Sequence, residues 1–85
     1  MRKIYLNIVF MQPDSADADE PLRILDEMGE HAALEYLTQW DYGDAYEEND
    51  ESQAGRDDTI YREGDYLMSY NTRLGYIGLE RIVNE

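Results

Sequence analysis

From Lys3 to Met11 the chain alternates, with Ile4, Leu6, Ile8 and Phe10 on one side and Tyr5, Asn7, Val9 and Met11 on the other, the two-residue period of a β-strand. Both sides are largely apolar. This predicts an interior strand, covered on one side by helices and on the other by aromatics or a partner. Residues 12–20 follow as a polar loop with Pro13 and four acidic residues. Asp19, Glu20 and Pro21 then mark a helix start, with the Asp as cap and the proline in the first turn. Leu22, Leu25 and Met28 recur at helical spacing up to Gly29, a residue suited to end or kink a helix. A second helix over about 30–40 sets Ala33, Leu37 and Trp40 on one stripe, with Leu34 and Tyr36 at its borders. One long kinked helix fits the same pattern.

Residues 41–58 break this order. They hold Gly43, Gly55 and eight acidic residues against Arg56 alone, which predicts a solvated, flexible acidic loop. After it, Thr59 to Arg62, a turn at 63–65, Tyr66 to Tyr70, a turn at 71–74, and 75–83 read as two or three antiparallel strands. Ile77, Leu79 and Val83 share one face of the last strand, and Arg81 fits that face only if its end is exposed. The expected fold is a single α+β domain over residues 1–85. It has a small antiparallel sheet of three to four strands, with two helices or one kinked helix on one face, in the order β-α-α-β-β(-β).

Length makes one core the expectation, since 85 residues are too few for two. Cysteine is absent, which removes disulfides and thiolate chemistry and fits a cytoplasmic protein. The apolar run at the amino terminus is too short for a signal peptide and lacks a small-residue cleavage site. Nothing in the chain approaches the roughly 20 apolar residues of a membrane span.

Charge changes the picture most. Seven basic and 20 acidic residues leave a formal net charge of −13, alongside 42% hydrophobic and 12% aromatic residues. Disordered acidic tails lack that apolar content, so a folded acidic domain is expected. It should repel nucleic acid and anionic membranes and attract basic surfaces, less strongly as salt rises. The acidic residues concentrate before and along the first helix and in 41–58, whereas 59–85 has four acidic residues and three arginines.

Candidate chemistry is sparse. His31 is the one histidine, with Glu27 and Glu35 four residues to either side as candidate carboxylate partners. Ser15, Ser52 and Ser69 sit in no nucleophile motif, and no glycine-rich phosphate cradle occurs. Carboxylate pairs such as Asp41 and Asp44, or Asp57 and Asp58, fall in polar loops. A calcium loop starting at Asp50 places Gly55 correctly but puts Ala54 and Tyr61 where ligands belong. No metal site, cofactor or catalytic residue is therefore expected.

Of the eight tyrosines, Tyr66 and Tyr70 share a strand face with Met68, and Tyr76 is expected across from them on the next strand. The functional expectation is a non-enzymatic acidic protein that docks on a basic surface of a partner protein. Its sharpest form is a nucleic-acid mimic that inhibits a DNA- or RNA-handling enzyme, with no direct contact to nucleic acid or membrane. Asp26, Glu27, Glu30, Asp41, Asp44, Glu47, Glu48, Asp50 and Glu51, with Tyr66, Tyr70 and Tyr76, are the expected contact residues. A second class is a structural or regulatory module that forms a homodimer through the tyrosine-rich face or an edge strand such as 59–62. A carboxylate-dependent hydrolase is the third.

Overall fold

The computed structural model describes residues 2–41, 43 and 46–84. The alternating segment forms β1 (Lys3–Met11) and is followed by a 3-10 turn at Ala16–Ala18. Then come α1 (Asp19–Met28), α2 (Glu30–Thr38), β2 (Glu47–Asn49), β3 (Thr59–Glu63), β4 (Tyr66–Asn71) and β5 (Tyr76–Asn84). The strands make one five-stranded sheet in the order β2-β1-β5-β4-β3, antiparallel throughout. The α+β class and the meander of β3, β4 and β5 are as expected. The strand count is not: the expected three to four become five, because Glu47–Asn49, inside the stretch expected to be a solvated loop, pairs with β1 at Tyr5–Asn7. No alternation marks so short and charged a strand, which exists because β1 offers it a free edge.

Gly29 divides the helices. It has φ +98° and ψ 178°, a combination open essentially to glycine alone, and its N–H caps α1 by bonding to the Leu25 carbonyl. Asp19 is not the expected cap: it lies inside the first turn of α1, and Ser15 caps the preceding 3-10 turn by accepting from the Asp17 N–H at 3.3 Å. Ile24, Ala33, Leu34 and Leu37 from the helices meet Met68, Ile77 and Leu79 from the sheet in the core, which leaves α1 with exposed Asp19, Glu20, Arg23, Asp26 and Glu27.

Strand β1 departs from simple alternation at one residue. Asn7 is paired with Glu80 and Val9 with Leu79, so Ile8 is the extra residue of a β-bulge. Beyond it the facing reverses. Ile8 and Met11 enter the core with Val9 packed beside them, while Phe10 turns to the other face and stays 42% exposed. The expected grouping of Phe10 with Ile4, Leu6 and Ile8 therefore fails, because a bulge is invisible to a strict period of two.

Register also corrects the placement of Tyr76. It pairs with Asn71, and Ile77 pairs with Tyr70, so Tyr76 lies on the face opposite Tyr66, Met68 and Tyr70.

Candidate functional site: an acidic strap and its anchors

Strands β2 and β3 lie at opposite edges of the sheet, and residues 50–58 connect them. The connection must span four inter-strand spacings, roughly 19 Å. It does so over the face that the helices leave open. Glu80 marks its path. This carboxylate sits on that face of the central strand β5, between Asn7 and Leu67, and is 3% exposed. The Ser52 hydroxyl donates to its Oε1 at 2.6 Å and the Gln53 N–H donates to its Oε2 at 2.9 Å. Further along, Asp58 closes a turn by accepting from the Gly55 N–H at 2.6 Å, and it also accepts from the Tyr76 hydroxyl. The acidic segment is thus a strap bonded to the sheet at Glu80 and at Tyr76.

The helix-facing side repeats the pairing of tyrosine with carboxylate. Tyr70 donates to Glu30 Oε2 at 2.7 Å, Tyr66 to Asp41 Oδ2 at a long 3.5 Å, and Tyr61 to Glu63 Oε2 at 3.1 Å. Burial, with the Glu30 carboxylate beside it, pushes the Tyr70 phenol up to about 12. Tyr61 is raised chiefly by partial removal from water, and Tyr76 chiefly by its bond to Asp58.

His31 bridges α2 and β3. Its Nδ1 lies 2.6 Å from Glu63 Oε2 and its Nε2 lies 2.9 Å from Glu35 Oε1. The hydrogen bond to Glu63 is the main reason the imidazole is raised above its ordinary value, and the same bond lowers Glu63. Of the two expected partners, Glu35 is correct and Glu27 is not. Glu27 pairs instead with Arg23, which also holds Glu20 and lowers it. Glu63 lies 32 residues from His31 in the chain, so helical spacing could not point to it.

A groove of about 580 Å³ opens beside this bridge, lined by Leu34, Thr38, Tyr66 and Arg81 among others. Arg81 also lines a second groove of about 410 Å³ with Asp41, Glu48 and Tyr46, whose hydroxyl is buried without a partner among the described residues. No group of three or more His, Cys, Asp or Glu among the described residues is arranged to hold a metal ion. No described helix is long and apolar enough to cross a membrane.

The expected contact residues separate into two sets. Glu30, Asp41, Tyr66, Tyr70 and Tyr76 are half-buried and bonded within the molecule. Asp26, Glu27, Glu47, Glu48, Asp50 and Glu51 are exposed, with Asp50 paired to Arg2 at 3.0 Å. Asp44 lies outside the described residues. Exposed carboxylates without a hydrogen-bond or ion-pair partner among the described residues include Asp14, Asp17, Asp19 and Asp26 on the approach to and outer face of α1. Glu47, Glu48, Glu51 and Asp57 on β2 and the strap join them. Sequence reasoning missed Glu80, which shares its strand face with Gly78 and Ile82, and Asp58 as the anchor of Tyr76. Comparison of the chain with family models, with curated proteins and with solved structures found no match.

Proposed function

We propose that this protein acts by binding rather than catalysis, docking its acidic surface on a basic surface of a partner protein. One observation carries the proposal: Asp26 on α1, Glu47 and Glu48 on β2, and Glu51 and Asp57 on the strap are exposed and have no hydrogen-bond or ion-pair partner among the described residues, while Arg2 and Arg23 are already engaged with other carboxylates. Such unneutralised charge opposes folding by self-repulsion, and a basic partner would relieve it. The strap adds rigidity, since its anchoring at Glu80 and Tyr76 lowers the ordering cost of binding. In its sharpest form the partner is a DNA- or RNA-handling enzyme whose phosphate-binding groove accepts the carboxylates in place of nucleic acid. The setting we propose is the cytoplasm, which a chain without cysteine suits.

The test is affinity capture along a salt gradient, comparing wild type with a variant carrying Glu47→Gln, Glu48→Gln, Asp50→Asn and Glu51→Gln. A nucleic-acid enzyme retained by wild type and released early by the variant supports the proposal. Equal retention, or retention that persists at several hundred millimolar salt, overturns it.

A second reading is self-association, narrowed from the tyrosine-rich face or an edge strand to the edge strand alone. Tyr66 and Tyr70 pack against the helices, whereas β3 is an edge strand with Ile60 46% exposed, so a homodimer is best supported through that edge. A strict monomer at high concentration by sedimentation would remove it.

A further inference from the structure

We propose that Phe10 and Tyr76 form the aromatic anchor of the docking surface, and that they take an arginine side chain of the basic partner. The inference rests on the docking reading above and names the contact at its centre.

Phe10 is the single phenylalanine of the chain, and uninterrupted alternation would have put it on the core side of β1. The bulge at Ile8 turns it onto the strap side instead. There it lies over Gly78 of β5, whose missing side chain makes the room: a Cβ on Gly78 would stand 2.9 Å from Phe10 Cδ2 and 3.1 Å from the Val9 carbonyl oxygen. Glycine weakens the interior of a strand, and a bulge interrupts a ladder. Two departures from a regular sheet thus coincide at one residue, and their joint result is an exposed aromatic ring.

That ring does not stand alone. Tyr76 packs beside it with ring centroids 5.6 Å apart and a tilt of 39°. Asp58 holds the Tyr76 hydroxyl, and Gly55 passes so close that a Cβ would meet that hydroxyl and an Asp58 oxygen, each at 3.0 Å. Asp57 is adjacent, exposed and unpartnered among the described residues. The patch is an aromatic pair bordered by two carboxylates, with Arg56 as the cation on the same stretch of strap. Electrostatic complementarity favours a cation, and the partly exposed Phe10 ring favours guanidinium, which is planar, weakly hydrated and stacks on aromatic faces better than ammonium does. A second copy is the rival occupant, but two surfaces of the same negative sign would meet there.

The experiment uses the full chain at low salt with a fluorescent oligo-arginine peptide, and with oligo-lysine of equal length for comparison. Wild type should bind the arginine peptide more tightly. Phe10→Ala should weaken that binding about fivefold while Phe10→Tyr restores it, and the lysine peptide should respond less. Ring-proton resonances of Phe10 and Tyr76 in wild type should move during the titration, a readout that stands even if Phe10→Ala fails to fold. The inference is overturned if Phe10→Ala binds as wild type while the charge variant of β2 and the strap loses affinity. That outcome would leave the docking reading intact. A wild-type dimer that Phe10→Ala dissociates would overturn it in favour of a second copy. If the charge variant also binds as wild type, the docking reading falls with it.

Discussion

The Glu80 carboxylate accepts a hydrogen bond from the Ser52 hydroxyl at 2.6 Å, across 28 residues of chain. Glu80 is nearly inaccessible, and no Lys or Arg is bonded to it among the described residues. Burying a carboxylate is costly unless its oxygens are satisfied, so the strap and the carboxylate depend on one another. Glu80→Ala strands the Ser52 and Gln53 donors and should destabilise the fold by about 1–3 kcal/mol in urea unfolding. Amide exchange should accelerate across 50–58 before it does so in the sheet.

Gly78→Ala tests the packing beneath Phe10. The added methyl meets backbone as well as ring, so it should cost about 1–3 kcal/mol by denaturant midpoint. Combining it with Phe10→Ala frees the ring side of the clash but not the Val9 carbonyl. The double variant should recover part of the loss, a coupling that a double-mutant cycle measures.

Gly29→Ala tests the break between the helices. A Cβ at this position would have nothing within 4 Å of it, so the whole cost is backbone strain at φ +98°. The expected loss is about 1–3 kcal/mol by thermal or urea unfolding, with no change in binding.

His31 makes stability depend on pH in a defined sense. Glu63 from β3 and Glu35 from α2 face the imidazole, and Tyr61 shares Glu63, so the protonated form is favoured in the folded state. A group raised on folding contributes fully below its unfolded value near 6.5 and loses that contribution as pH rises through the folded value. Glu63 has the opposite sense: it is lowered, so its contribution is lost as pH falls through its folded value. The difference in melting midpoint between wild type and His31→Gln should therefore shrink as pH rises past neutrality. A constant difference across that range would contradict the bridge.

Tyr70 gives an alkaline counterpart. Its phenol is pushed up to about 12, so the unfolded chain ionises first, and the contribution present below about 10 is lost as pH rises toward 12. Tyrosinate absorbance should lose its latest-titrating group in Tyr70→Phe, while Tyr61 and Tyr76, which are also raised, keep theirs. At neutral pH that substitution, which deletes one hydrogen bond to Glu30, should cost about 1 kcal/mol.

Much of the framework was legible from the chain alone. The period of two delimited β1, the helical spacing of Leu22, Leu25 and Met28 located α1, and Gly29 marked the break. The turns at 63–65 and 71–74 separated the last three strands. These features are local: each depends on the side-chain period or on the φ angles open to a residue, both of which act within a few positions. The acidic character of the surface was equally plain from composition.

The sequence by itself therefore determined the class of fold, most element boundaries and the sign of the surface. Tertiary structure alone decided which face Phe10 and Tyr76 occupy, because one bulged residue reverses every side chain after it and pairing register is set between strands. It also decided which of the described acidic residues is buried, which hold tyrosines or His31, and which have no partner among the described residues. Those carboxylates are chemically equivalent along the chain, so only the path of the strap and the helices over the sheet could distinguish them.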